Sequence, residues 1–182
     1  MKKVFLLISV LLLLCACNKK DYSKLYDLKT YDCDMSCYEN VDATDHNFVG
    51  TTVLELKRLI EEKGYGAFAF TSRYCNHCQM AMQYLDQVSK ELDVKIFYID
   101  ATSDVYPIQG TDNYDILFDI LFDTLNEGEE GKEIQTPEVF SVIDGEIKDY
   151  KVGTTWSGME YNDDDVAKLK DIYREILTPF TK

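Results

Sequence analysis

Beyond residue 50 the apolar positions of the chain switch between helical and strand spacing, and each switch marks an element. Thr52-Val-Leu-Glu55 has the form of a capping box, and Leu54, Leu56, Leu59 and Ile60 follow at roughly helical spacing until Gly64 and Gly66 end the helix. Ala67-Phe-Ala-Phe-Thr71 is a short apolar run between turn signals, which predicts a buried strand. Cys75 to Leu92 predicts a helix with Met80, Met82, Leu85, Val88 and Leu92 at apolar positions, and Val94 to Asp100 predicts a second strand. A loop over 101–112 leads to a helix over Tyr114 to Leu125, ended by Gly128 and Gly131. Val139 to Ile143 and Glu146 to Val152 predict a hairpin, because Asp144-Gly145 suits the type I′ turn that matches strand twist. Asp163 to Leu177 is the closing helix, with its acidic residues at the favourable positive end. Residues 18–50 show weak periodicity and predict an irregular or partly ordered lead-in. A strand–helix–strand unit implies parallel pairing and a hairpin adds antiparallel strands, so the pattern predicts an α/β fold with a mixed sheet between helices.

The first residues have another logic. Lys2 and Lys3 precede an apolar run from Val4 to Leu14, interrupted by Ser9. That run falls short of the about 20 residues a spanning helix needs, and it has the layout of a secretory signal. Leu14-Cys15-Ala16-Cys17 resembles the bacterial lipobox, in which a lipid-modified cysteine becomes the first mature residue. Cys17 fits because small Ala16 precedes it; Cys15 would place bulky Leu14 at the cleavage position. The expected organisation is a signal peptide over 1–16, a lipidated stalk and lead-in over 17–50, and a folded domain over 51–182. Acyl chains would tether the protein to the outer face of the cell membrane without threading it through. The competing reading is an ordinary secretory signal with incidental cysteines.

Charge narrows the partners. Lysine and arginine number 19 against 33 acidic residues; loss of Lys2 and Lys3 with the signal leaves 17 against 33, a balance of −16. Nucleic acid, which needs a basic face, is excluded as a partner, and the domain itself has no charge attraction to an anionic bilayer. Of six cysteines, Cys15 leaves with the signal and Cys17 takes the lipid. The rest form two close pairs, Cys33/Cys37 and Cys75/Cys78, and outside the cytoplasm cysteines are expected to pair.

Tyr74-Cys75-Asn76-His77-Cys78 follows a predicted buried strand and opens a predicted helix. Thr136-Pro137 precedes the next core strand, and Asp144-Gly145-Glu146 with Val152-Gly153 brackets the hairpin. In this order the features resemble the thioredoxin superfamily over roughly residues 50–178. Within it the chain looks like the extracytoplasmic thioredoxin-like lipoproteins of Gram-positive bacteria, a group that includes the bacteriocin transport accessory proteins. The resemblance implies a thioredoxin-like three-layer sandwich and a cis-proline loop at Thr136 and Pro137 that receives an extended substrate chain. It also implies redox tuning by Tyr74, Asn76 and His77. The chain departs from the family at Ala69, where a buried aspartate is usual, and at Tyr74, where a tryptophan is usual. A histidine in the position of His77 resembles strongly oxidising Dsb-type oxidases and disulfide isomerases.

The chemistry expected of the motif is thiol–disulfide exchange, which needs no cofactor and no metal. Only a thiolate attacks a disulfide, and a helix N-terminus stabilises one. Cys75 is therefore the expected attacking residue and Cys78 the resolving one. An inert disulfide or half of a zinc site are the alternatives for this pair; zinc would need further ligands nearby. Cys33-Asp-Met-Ser-Cys37 has a different spacing and reads as a structural disulfide, or as a second redox pair relaying electrons. Disulfide-containing or dithiol exported proteins are the expected partners, with a membrane redox partner. The rival class of function is a non-catalytic accessory module that holds a secreted peptide or protein.

Overall fold

The computed structural model of the protein describes residues 20–102, 112–128 and 131–182. The signal segment and Cys17 lie outside the described residues, as does most of the expected 101–112 loop. The elements are β1 (Phe48–Gly50), α1 (Val53–Glu61), β2 (Gly66–Thr71), α2 (Asn76–Leu92), β3 (Ile96–Asp100), α3 (Asp112–Leu121), β4 (Asn126–Gly128), β5 (Gly131–Glu133), β6 (Glu138–Ile143), β7 (Glu146–Val152) and α4 (Asp163–Leu177). A short 3₁₀ turn, Thr178–Phe180, follows.

Five strands form one sheet in the order β1-β3-β2-β6-β7. β3 runs parallel to β1 and β2, while β6 runs antiparallel to β2 and to β7. The fold is α/β and thioredoxin-like: a mixed sheet between two helical layers, as the sequence pattern predicts. Side chains alternate across each strand. In β2, Phe68 and Phe70 face α1 and α3, joined there by Phe97, Ile99, Phe140 and Val142. Ala67 and Ala69 face the other layer, where Met82, Leu85 and Val88 of α2 pack with Leu169, Tyr173 and Ile176 of α4. The small alanines let α2 approach the sheet. Phe68 stacks on Phe97 at 5.0 Å and on Phe140 at 5.4 Å between centroids, fixing three strands by their side chains as well as their ladders. Burial of each such ring contributes about 1.5–3 kcal/mol.

Helix ends follow local chemistry. Thr52 Oγ1 accepts from the Glu55 amide at 3.3 Å, as the capping-box sequence predicts. The reciprocal half differs: the Glu55 carboxylate accepts from the Lys29 amide at 2.9 Å and from Arg58. It ties the lead-in to α1 instead of closing its own cap. The full capping box is at α4, where Asn162 Oδ1 accepts from the Asp165 amide and Asp165 accepts from the Asn162 amide. The Asp144-Gly145 turn has φ of 55° and 78°, the left-handed pair a type I′ turn requires.

Two sequence expectations are corrected. The lead-in is part of the core: Met35 is 0 % and Tyr38 1 % exposed, residues 48–50 form the edge strand β1, and Tyr31 bridges to Gly50. Its weak periodicity reflects irregular backbone that buries single side chains. The helix expected to reach Leu125 ends at Leu121, and the chain after it forms a small hairpin of β4 and β5. Leu125 lies beyond the helix, because Thr124 turns back to hydrogen-bond the Leu121 carbonyl.

Candidate active site

β2 ends at Thr71, a tight turn through Arg73 and Tyr74 follows, closed by the Cys75 amide on the Ser72 carbonyl, and α2 begins at Asn76. Cys75 is the N-cap, with extended backbone at φ −87° and ψ 118°. A cap residue uses its side chain to satisfy an orphan amide of the first turn. Here the acceptor is sulfur: the Cys78 amide donates to Cys75 Sγ at 3.3 Å. Cys75 is partly exposed, while Cys78, one turn further, is 0 % exposed. All four described cysteines are thiols.

The two thiols have opposite acidities. The hydrogen bond from the Cys78 thiol lowers the Cys75 pKa most; burial opposes it, and the Thr136 hydroxyl and the amides of Cys78 and His77 lower it further. The Cys75 thiol also has the Thr136 carbonyl oxygen 3.3 Å away, an acceptor that favours the protonated sulfur. The donors outnumber it, so the net direction is toward thiolate. Burial pushes the Cys78 thiol far up, and its hydrogen bond to Cys75 pushes the same way.

The Thr136–Pro137 peptide is cis, at the start of β6. Thr136 is half-buried and faces Cys75, and the Pro137 carbonyl accepts from the Gly153 amide at 2.7 Å. These contacts bring the dithiol, Thr136, Pro137 and the segment after β7 together. His77 enters differently from the sequence expectation. Its backbone amide serves Cys75, while its ring Nδ1 lies 3.1 Å from Thr154 Oγ1. Thr154 Oγ1 donates in turn to the Trp156 carbonyl at 2.8 Å, so the imidazole orients the segment beside the site. Trp156 stacks on Tyr161 at 4.5 Å and Tyr84 meets both edge-on, a rim of aromatic rings along α2. Tyr74 is 80 % exposed at the opening of the motif, and Asn76 is exposed in the first turn of α2.

Arg73 pairs with the buried Asp100 at 2.8 Å, an interaction across the ends of β2 and β3. Ala69 is 0 % exposed, in register with Tyr98 and Val139. Around that position the polar groups are hydroxyls: Tyr38 Oη lies 2.7 Å from Thr71 Oγ1 and 3.1 Å from Tyr98 Oη. Sequence reasoning missed Tyr38, whose only signal is its place beside Cys37. The Cys33 and Cys37 thiols are raised by burial, Cys33 to about 11, so neither competes with Cys75 as a nucleophile. Among the described residues, no group of three or more His, Cys, Asp or Glu could hold a metal ion.

No protein-family model and no curated protein matches the chain. Solved structures similar to it include the thioredoxin of Trypanosoma brucei brucei, 14% identical with a TM-score of 0.44 over 76% of this chain and 98% of that one. Thioredoxin O2 of Arabidopsis thaliana in its oxidised state is 16% identical, with a TM-score of 0.42 over 72% of this chain and 95% of that one. The thioredoxin of Aeropyrum pernix is 27% identical, with a TM-score of 0.39 over 68% and 85%.

Proposed function

We propose that the protein is a thiol–disulfide oxidoreductase that acts through Cys75 and Cys78. The observation that carries this reading is the asymmetry of the pair: a partly exposed N-cap sulfur that accepts from the Cys78 amide at 3.3 Å, and a fully buried thiol one turn behind it. A sulfur held at a helix N-terminus and open to solvent is placed where a thiolate is favoured and can reach a substrate disulfide. In the reducing direction the Cys75 thiolate attacks one sulfur of a substrate disulfide. The substrate S–S bond breaks, a mixed disulfide forms, and the departing substrate thiolate takes up a proton. Cys78 then loses its proton and attacks Cys75 Sγ, releasing the second substrate thiol. Two electrons leave the dithiol and Cys75–Cys78 closes as a disulfide. Oxidation of a substrate dithiol is the same sequence reversed.

We further propose that the substrates are exported proteins and that Cys17 carries a lipid anchor on the outer face of the membrane, with a membrane redox partner restoring the pair. The placement of Lys20 supports this arrangement. Lys20 pairs with Asp144 and Tyr22 donates to it at 3.4 Å, at the tip of the β6–β7 hairpin. Pro137 and Cys75 lie at the other end of β6, so an anchor three residues before Lys20 would turn the dithiol away from the bilayer. Among the described residues, no helix is long and apolar enough to cross a membrane.

The experiment is trapping. Cys78→Ala should accumulate mixed disulfides with substrate proteins and Cys75→Ala should not. Insulin-disulfide reduction or refolding of a scrambled protein by the unaltered protein should vanish in Cys75→Ser. Peptide binding that survives in Cys75→Ser, without turnover in the unaltered protein, would instead identify an accessory binding module.

A further inference from the structure

Glu138 follows the cis-proline directly and is 0 % exposed. Its register partners are Phe70 in β2 and Val152 in β7, which places its side chain on the face of the sheet that carries Phe68, Phe70 and Phe140. An ionised carboxylate in such a place is costly unless it is paired. Among the described residues its register and hydrogen-bond partners, Phe70, Val152 and Thr124, are uncharged. Lys151 of β7 is in register with Val139 and so lies on the opposite face, and Asp123 beside Thr124 is exposed.

The hydrogen bonds of Thr124 show which protonation state the fold holds. Thr124 Oγ1 lies 2.7 Å from the Leu121 carbonyl oxygen and 2.6 Å from Glu138 Oε1. Two O···O contacts this short each need a proton between them. Thr124 has one hydroxyl proton and a carbonyl has none, so the second proton comes from the carboxyl group. Among the described residues Glu138 Oε2 has no hydrogen-bond partner, which a neutral carbonyl oxygen tolerates far better than an anion. Burial pushes the Glu138 carboxyl up to about 7, the direction that favours the acid form; a Thr124 hydroxyl donating to the carboxylate would oppose it.

We propose that Glu138 is held as a neutral acid that donates to Thr124 and acts as a positioning residue: it fastens the start of β6, and with it the Thr136–Pro137 loop under Cys75, to the end of α3. The stretch Thr136–Glu138 makes three contacts in sequence, with Cys75, Gly153 and Thr124. Loss of the Glu138 proton places an anion on an apolar face and loosens the last of them, which makes the loop responsive to pH near neutrality. Its consequence for the dithiol rests on the redox reading above; the protonation of Glu138 does not.

The sign of the pH effect follows from linkage. The folded carboxyl has a raised pKa, so its stabilisation is complete below the ordinary value of 4.5 and declines as pH rises through the folded value of about 7. Across that window the folding equilibrium constant should fall by up to about tenfold per pH unit from this group. Glu138→Gln keeps a donor to Thr124 at every pH. Denaturant unfolding from pH 4 to 8 should therefore lose that slope in Glu138→Gln, and the iodoacetamide alkylation rate of Cys75 should lose a second inflection near pH 7. Identical pH profiles for the two proteins, in unfolding and in alkylation, would overturn the proposal. If Glu138→Gln fails to fold, carbon-13 carboxyl titration of the unaltered protein decides. One glutamate with a midpoint near 7 upholds the inference, and all glutamates titrating below about 5 reject it. Absence of disulfide turnover in both proteins would count against the redox reading alone, because the unfolding and carboxyl titrations do not depend on it.

Discussion

Cys75 Sγ lies 3.3 Å from the carbonyl oxygen of Thr136, a residue 61 positions away along the chain. One contact thus joins the helix that carries the dithiol to the loop that would receive a substrate backbone. The thiol donates to that carbonyl only while protonated. Ionisation of Cys75 releases the carbonyl, and an incoming substrate amide could then take the vacated acceptor.

The thiolate is the first quantity to measure. Ultraviolet thiolate absorbance should place the Cys75 midpoint below the ordinary thiol value of 9.0. Because the folded pKa is depressed, ionisation of Cys75 stabilises the reduced protein progressively as pH rises from the folded value toward 9.0; that contribution is lost as pH falls through the folded value. Cys78→Ala removes the leading donor. A charge-assisted hydrogen bond contributes about 1.5–3 kcal/mol, so at a half-exposed sulfur the midpoint should rise by about one pH unit. An unchanged midpoint would show that Cys78 does not hold the thiolate.

If the protein is exported as proposed, the Cys33/Cys37 pair should close in the oxidised protein and stay closed under mild reductant. Mass mapping after alkylation checks this. Two freely alkylated thiols in protein prepared without reductant would refute the pairing. Slow alkylation is expected of Cys33 once reduced, because burial raises its thiol to about 11.

Met35 tests the place of the lead-in. It is 0 % exposed and clusters with Tyr38, Phe48 and Tyr98. Met35→Ala should destabilise the fold by about 2–5 kcal/mol in denaturant unfolding, the range for truncating a buried large side chain. A cost under about 0.5 kcal/mol, as at surface positions, would mean that the segment is dispensable.

Gly145 tests the hairpin tip. Its φ is 78°, and a Cβ there would come within 2.4 Å of the Ile60 carbonyl oxygen. Gly145→Ala therefore meets both an unfavourable backbone conformation and a backbone clash, and should cost at least about 1–3 kcal/mol. Thermal unfolding reads it directly; a neutral result would mean that the turn and the end of α1 separate easily.

The sequence by itself determined the elements whose signals are local. Thr52 and the acidic start at Asp163 mark helix starts, Asp144-Gly145 marks a turn, and Cys75 through Cys78 marks a strand-to-helix junction, because caps and turns act within about four residues. Only the tertiary structure decided what depends on approach between distant segments. β1 is three residues long and exists because β3 pairs with it. Glu55 caps the lead-in amide of Lys29, and the His77 ring turns to Thr154, where the sequence pattern points each to its own helix or to Cys75. Met35, Tyr38 and Glu138 carry no periodic signal, since each is buried singly in a surrounding assembled from several elements. A side chain's burial and hydrogen-bond partners are properties of that assembly, and residues far apart in sequence supply them.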